Sequence, residues 1–340
     1  MVDVSVLMCI YNTEPELLLK AINSVLNQSF RDLELVLVDD ASTYEETLNV
    51  IEEVQKDIRV VVYKNNKNIG LTKSLNLGLA LCKGKYIARL DADDEAFESR
   101  IEDEYDFLEE NSDISVVCSL AEYTGNKPYR FRNFINYMND QEKFKLKMAL
   151  MNVGPIHSTV MIRKKTLDEY GICYDEHYYR SQDYKLWLDL LDVNAKFACI
   201  EKKTIIYRFH DRQISKENGT EQKQCAFEIA KSHLMKVIGI DEKNACIMCS
   251  LYSDIFDYQK EEYVDAINLC KKMNAKRKYF NIKSFDKEMK IRWIHKVLKC
   301  LVYGKDYSGV LCSYTVKIIL NGGLVFWVKE RLQYRQRNEK

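Results

Sequence analysis

No run of about 18 uninterrupted apolar residues occurs in the 340-residue chain, so no membrane-spanning helix is expected. Residues 1–10 lack a charged stretch followed by an apolar core. Val4, Val6, Met8 and Ile10 alternate there instead, as in a strand, and no secretory leader is visible. Net charge is missing too, with 51 Lys and Arg against 51 Asp and Glu. Internal repeats and low-complexity tracts are absent, which argues against a repeat array or a disordered chain. The 11 cysteines show no regular spacing and their number is odd. Reduced thiols of a cytosolic protein fit that pattern better than a disulfide framework. Cys246 and Cys249 form a lone CxxC with no second pair and no strand before it, so core packing is the expected role. Residues 8–20 lack the glycine- and base-rich phosphate loop that a sugar nucleotidyltransferase needs.

What is present reads as a folded α/β protein. Apolar residues make up 46% and charged residues 30%, ordinary values for a globular chain. The length suits one large α/β domain with an appendage, or two domains. Charge is unevenly placed: residues 271–340 hold 18 Lys and Arg against 5 Asp and Glu. A basic tail on an acidic body suggests an anionic surface as its partner.

Strand and helix patterns alternate over the first 120 residues. Val4–Ile10 reads as a strand, and Pro15 opens a helix with Leu18, Ala21, Ile22, Val25 and Leu26 on one stripe. Strand Leu33–Val38 ends on Asp39-Asp40. Helix 44–56, strand Ile58–Tyr63, helix 71–82 closed by Gly84, strand Tyr86–Leu90, helix 99–110 and strand Ile114–Ser119 follow. This order predicts a Rossmann-like, mostly parallel central sheet flanked by helices on both faces. A helical or irregular insertion spans 126–152, after which strand His157–Ile162, helix 182–193 and strands near 196–200 and 204–209 are expected. From about 217 the pattern is helical to the end. The expected domains are therefore 1–217, with halves at about 1–120 and 121–217, and a basic helical region 218–340.

In open sheets of this kind ligands bind outside the carboxyl ends of the strands. Three strand ends there converge on polar residues: Tyr11-Asn12, Asp39-Asp40 and Asp91-Ala92-Asp93-Asp94. Clustered carboxylates repel one another unless a cation lies between them. A hard divalent ion, Mg2+ or Mn2+, takes oxygen ligands and shares its shell with substrate phosphate. The plainer readings are a sheet-edge aromatic for Tyr11 and a helix cap for Asp39-Asp40.

Ser5–Asn12, Leu37–Ser42, Asn68-Ile69-Gly70-Leu71 and Asp91–Asp94 occur in the order and spacing of family 2 glycosyltransferases, which the chain resembles over roughly residues 3–215. The resemblance implies a GT-A fold with a mixed sheet, and an inverting transfer of a hexose from a UDP-sugar, glucose or galactose, to a glycan hydroxyl. It implies a donor site of Tyr11, Asn12, Asp39, Asp40, Gly70, Lys73, Asn76, Arg89, Asp91, Ala92 and Asp93. Asp93 is the direct metal ligand in this scheme, joined by Asp91 and His210, with Mn2+ or Mg2+ as cofactor. Asp94 is expected only to cap the following turn. The Pro-x-Arg usual in the family is Glu98-Ser99-Arg100 here, without its proline. Gln182-Asp183-Tyr184-Lys185-Leu186-Trp187 matches the segment whose Asp is the general base, so Asp183 is the implied catalytic residue. His157, Gln182, Arg208 and His210 are the implied contacts to acceptor or diphosphate.

Residues 284–301 and 312–336 mix Lys and Arg with Trp293, Ile294, Val297, Leu298, Phe326 and Trp327. Such helices can lie on an anionic membrane, which suits a lipid-linked acceptor in capsule or O-antigen assembly and a cytoplasmic enzyme peripheral to the inner membrane face. The alternative is a helical cap packed on the protein. Nucleic acid is not an expected partner. A non-catalytic nucleotide- or glycan-binding module is the competing function of a different class.

Overall fold

In the computed structural model, the described residues are 2–124, 135, 137–208, 219–251 and 258–302. They group into two compact units, one of residues 1–131 and 154–222 and one of residues 132–153 and 223–340.

The first unit is built on strands β1 (Val4–Ile10), β2 (Leu33–Asp39), β3 (Val60–Lys64), β4 (Tyr86–Arg89), β5 (Glu95–Ala96), β6 (Val116–Tyr123), β7 (Val160–Arg163) and β8 (Phe197–Tyr207). They form one sheet in the order β3-β2-β1-β4-β7-β6-β8-β5. The first four run parallel. β7 is antiparallel to both β4 and β6, whereas β6 and β8 are parallel. Every residue of β2 is buried, as expected of a strand covered on both faces. Helices α1 (Pro15–Leu26), α2 (Glu45–Val54), α3 (Leu71–Leu81), α4 (Arg100–Glu110), α5 (Gln141–Met148), α6 (Lys164–Tyr170) and α7 (Gln182–Asp192) follow in chain order. All but α5 belong to this unit. Val4, Val6, Met8, Leu35, Leu37, Tyr86 and Ala88 join Leu18, Ile22 and Val25 of α1 in the main core.

The reversal at β7 sets which residues meet at one end of the sheet. Ala88 pairs with Met161 and Tyr86 with Arg163, so the start of β7 lies beside the carboxyl end of β4. Residues His157–Thr159, expected as strand, form a 3-10 turn there. The two strands expected near 196–200 and 204–209 are one continuous strand. Its Glu201-Lys202-Lys203 stretch lies at a register shift against β6, where pairing jumps from Cys118–Cys199 to Leu120–Lys203, and its lysines form ion pairs, Lys202 with Asp103 and Lys203 with Glu122.

At the opposite edge of the sheet, Glu34 is buried but not unpaired. It accepts from Ser5 Oγ at 2.6 Å and from the Lys83 N–H at 2.7 Å, and Ser5 Oγ accepts from the Gly84 N–H at 2.8 Å. Gly84 is needed for close approach: a Cβ there would lie 2.5 Å from the Ser5 nitrogen and 2.8 Å from the Val4 carbonyl carbon.

The second unit contains α5 and helices α8 (Gly219–Ile238), α9 (Glu242–Ser250), α10 (Lys260–Arg277) and α11 (Ile282–Val302). Gln259 and Glu262 close a capping box on α10. Trp293, Ile294 and Val297, candidates for a membrane-facing side, are buried with Tyr263, Phe280 and Phe285. That stretch packs within its own unit, because aromatic burial there removes its apolar stripe from solvent. The remaining tail residues, 303–340, lie outside the described set. Among the described residues no helix is long and apolar enough to cross a membrane. Cys249 is buried on α9, and burial pushes its thiol well up from the ordinary value.

Gly84→Ala must displace backbone, not a flexible side chain. Its urea midpoint is expected to fall by the equivalent of about 1–3 kcal/mol with an unchanged slope. An unshifted midpoint would show that the strand end yields to the methyl group.

Candidate active site

Three polar strand ends meet at the carboxyl edge of β1, β2 and β4, and the structure divides their side chains into braces and open groups. Asn12 is a brace. It holds a left-handed φ of +50°, and its Oδ1 accepts from the backbone N–H groups of Thr43 at 2.7 Å and Tyr44 at 3.1 Å, at the start of α2. Its own N–H donates to Ser42 Oγ at 3.0 Å. Ala41, with φ +62°, makes the tight turn between them at a cost of about 1–2 kcal/mol for a left-handed alanine.

The adjacent Asp39 and Asp40 do different work. Asp40 Oδ1 accepts from Asn65 Nδ2 at 2.8 Å and the Ile69 N–H at 2.9 Å, and Oδ2 accepts from the Gly70 N–H at 2.8 Å. Both oxygens are spent on the loop that opens α3. Gly70 sits at φ +87° and ψ 155°, a region essentially confined to glycine. Asp39 uses only Oδ1, which accepts from the Ser42 N–H at 2.9 Å. Its Oδ2 is buried without a hydrogen-bond partner, 3.9 Å from Lys64 Nζ. The ring of Tyr11 stands exposed after β1. Lys73 is exposed on α3. Asn76 is taken up elsewhere: its Oδ1 accepts from the Tyr174 N–H at 2.9 Å and its Nδ2 donates to the Tyr174 carbonyl at 2.8 Å.

At the end of β4 the Arg89 guanidinium is buried. It donates to the Leu7 carbonyl at 3.2 Å and the Leu90 carbonyl, and pairs with Asp91 Oδ1. Asp91 Oδ2 accepts from Ser158 Oγ at 2.9 Å, while Ser158 Oγ accepts from the Asp91 N–H at 3.1 Å. Burial works to raise the Asp91 pKa, but Arg89 and then His157 and Ser158 outweigh it, and the carboxyl stays below its usual range. Carboxylate oxygens of Asp91, Asp93 and Asp94 lie within 4.8 Å of one another. Asp94, read from sequence as a turn cap, is buried. Its Oδ1 accepts from the Arg208 N–H at 3.1 Å and its Oδ2 has no hydrogen-bond partner. Burial, with the charges of Asp91 and Asp93, raises its pKa well above the ordinary value. Ala92 is buried between them. An unpartnered buried oxygen in an all-carboxylate set fits a hard divalent cation.

Arg208 adds its guanidinium to Glu95. Arg100 keeps its place without the expected proline: it is buried, donates to the Arg89 carbonyl at 2.8 Å and reaches Glu104 at 3.3 Å.

The third side comes from the start of α7. Ser181 takes φ +53°, and Gln182 and Asp183 open the helix. Burial, and secondarily the charge of Asp91, pushes the Asp183 pKa up to about 6 against its own and the Tyr184 backbone N–H. His157 Nε2 lies 2.7 Å from Tyr174 Oη, and its ring meets Trp187 of α7 edge-on at 6.0 Å. Burial and the Arg89 charge push His157 down to about 3. His210 lies outside the described residues. Ser158, Asn65 and Tyr174 were missed in the sequence because a lone hydroxyl, amide or phenol carries no spacing signal.

Residues 5–171 match the model of the family described as "Glycosyl transferase family 2". An uncharacterized glycosyltransferase of Haemophilus influenzae is 31% identical over 73% of this chain and 80% of its own. The Escherichia coli UDP-Glc:alpha-D-GlcNAc-diphosphoundecaprenol beta-1,3-glucosyltransferase WfaP is 26% identical over 73% of this chain and 91% of its own. Among solved structures, Staphylococcus aureus TarS 1–349 in complex with UDP-GlcNAc superposes with a TM-score of 0.60 at 16% identity, covering 90% of this chain and 93% of that one.

Asp40→Asn removes an acceptor from the Gly70 loop and places an amide against a backbone N–H. A loss of about 1–3 kcal/mol in urea denaturation is expected from the unsatisfied group. Full retention of stability would mean that the loop does not depend on that carboxylate.

Proposed function

The chain belongs to glycosyl transferase family 2, and on that premise we propose that it is an inverting, metal-dependent hexosyltransferase using a UDP-sugar, glucose or galactose. The observation that carries this reading is the pairing of a three-carboxylate cluster with a separate, half-buried Asp183 whose pKa is raised to about 6. Two carboxyl environments pushed apart in this way suit two different roles.

Support for a uracil base comes from Asp39. With Oδ1 occupied, one buried oxygen is left to accept, and uracil offers one imide N–H. Guanine would present two donors. Tyr11 offers a ring face to the base. Asp93 and Asp94, with Asp91 braced by Arg89 and Ser158, would hold Mn2+ or Mg2+, which supplies neutralisation of the diphosphate and Lewis-acid stabilisation of its departing charge. Asp183 then accepts the proton of the acceptor hydroxyl as that oxygen attacks the anomeric carbon from the face opposite UDP, inverting its configuration. General-base assistance of this kind contributes roughly 10²–10⁴ in rate. At neutral pH a group with a pKa near 6 is ionised and still basic enough to take a proton.

The acceptor is proposed to be a lipid-linked glycan in surface polysaccharide assembly, capsule or O-antigen. The name of the Escherichia coli relative supports a diphosphate-lipid acceptor, and the basic tail supports a peripheral position on the cytoplasmic membrane face. Residues 1–217 are proposed as the catalytic part and 218–340 as the helical region.

Asp93→Ala is expected to lose the Mn2+-dependent thermal stabilisation by UDP and at least about 100-fold in UDP release, a size typical of removing one charge-stabilising group. Undiminished stabilisation would remove Asp93 from the metal site. For Asp183 the folded carboxyl binds its proton more tightly than the unfolded one, so the base is present above about pH 6 and lost as pH falls through it. The expected profile of kcat/KM drops with unit slope below that value. Asp183→Asn should abolish transfer across the pH range, leave UDP affinity intact, and keep or raise Tm, because the ionised group is disfavoured by folding. Weakened UDP binding with normal turnover would contradict the base role.

A further inference from the structure

Tyr174 has a buried phenol whose single hydrogen bond among the described residues is to His157 Nε2, at 2.7 Å. A buried O–H that gave no proton to an acceptor would forfeit its hydration without replacement. Nε2 is the acceptor available to it, so the phenol donates and Nε2 carries the lone pair. Burial also pushes the phenol's own pKa up, keeping the proton on oxygen. His157 is held neutral by burial and Arg89. A neutral imidazole with an unprotonated Nε2 has its proton on Nδ1. That nitrogen makes no hydrogen bond among the described residues and is not one of the buried unpaired atoms.

The backbone of Tyr174 is fixed for this task. Asn76 of α3 receives its N–H at 2.9 Å and donates to its carbonyl at 2.8 Å, and Thr72 Oγ1 donates to the Tyr178 carbonyl at 3.0 Å. The loop carrying Tyr174 is thereby tied to the helix that begins at Gly70. Asp183 and Asp91 both act electrostatically on the phenol, and Arg89 and Asp91 on the imidazole; His157 also meets Trp187 of α7, the helix that Asp183 opens, at 6.0 Å, and precedes Ser158, which bonds Asp91 at 2.9 Å.

We propose that Tyr174 is a positioning residue that holds His157 as its Nδ1–H tautomer, so that His157 presents an uncharged N–H donor to a hydroxyl of the sugar substrates between the acidic cluster and Asp183. The substrate half of this inference rests on the glycosyl-transfer reading; the tautomer half does not. A neutral donor orients a hydroxyl without competing with Asp183 for its proton. It also adds no positive charge beside Arg89. The role of Asn76 follows: it is a brace for Tyr174 and not a contact to the nucleotide.

Full-length protein labelled with 15N-histidine separates these halves. In a long-range 1H–15N spectrum, with His157→Asn assigning the signal, wild-type His157 is expected to show protonated Nδ1 and bare Nε2 at pH 7. Tyr174→Phe should move the population toward Nε2–H. A wild-type spectrum with Nε2–H, or a Tyr174→Phe spectrum unchanged in a folded protein, overturns the proposal, and the first outcome does not depend on the Tyr174 variant folding. For function, the probe is UDP release from UDP-glucose or UDP-galactose with Mn2+. Asn places its amide N–H near the position of Nδ1, whereas Gln reaches that of Nε2. His157→Asn should exceed His157→Gln by about tenfold in kcat/KM, the worth of one neutral donor. Tyr174→Phe should slow the wild type several-fold yet leave His157→Asn unchanged, the coupling expected of residues that act through one another. A faster Gln variant overturns the donor assignment. Absence of UDP release by the wild type counts against glycosyl transfer, while the spectrum still decides what Tyr174 does.

Discussion

A buried guanidinium holds the acidic rim together. Three carboxylates whose oxygens lie within 4.8 Å of one another repel by about 3–4 kcal/mol per ionised pair at an effective dielectric of about 20. Arg89 is excluded from solvent and commits its two terminal nitrogens to Asp91 and to the carbonyls of Leu7 and Leu90, while its Nε is buried without a partner. It therefore neutralises one carboxylate and ties the rim to the central strands in the same contact. The compensation stops there. Asp94 keeps an unpartnered oxygen and a raised pKa, and Arg89 offsets only one of the three carboxylates. A divalent cation at this rim would supply the missing positive charge.

The same economy of acceptors distinguishes neighbouring aspartates. Successive side chains at a strand end point to opposite sides. Asp40 turns toward α3 and fills both oxygens with the Asn65 amide and the Ile69 and Gly70 N–H groups, whereas Asp39 fills one and keeps the other. Which aspartate can meet a ligand is thus decided by hydrogen-bond supply from the next loop. Asn12 and Asn76 resolve in the same way, as amides whose capacity goes to chain segments distant in sequence.

Much of the frame was legible beforehand. Hydrophobic runs marked β1 to β4 and their helices to within a few residues, because period and length are local properties. The convergence of Tyr11, Asp39 and Asp91 followed from strand polarity alone. The fate of each polar atom was not legible. Ser158 reaches Asp91 only because β7 runs antiparallel to β4, and a single hydroxyl 67 positions away advertises nothing. Asp94 looked like a turn cap because its burial depends on β8 returning past it to bring the Arg208 N–H into range. Gly84 looked like a helix stop, but its requirement is contact with the backbone at Ser5.

The two carboxyl environments share one cause, burial, and differ in what opposes it. Burial disfavours charge on both Asp91 and Asp183. At Asp91 a guanidinium in direct contact and a hydroxyl reverse that effect, keeping the group anionic where a cation would need it. At Asp183 the Arg89 charge is a lesser influence and the Asp91 charge adds to the penalty, so the group holds its proton up to about pH 6. An anion that is never protonated makes a good ligand and a poor base; one that ionises just below neutrality makes the reverse. Transferring the arginine's contact from Asp91 to Asp183 would lower the pKa of Asp183 and raise that of Asp91.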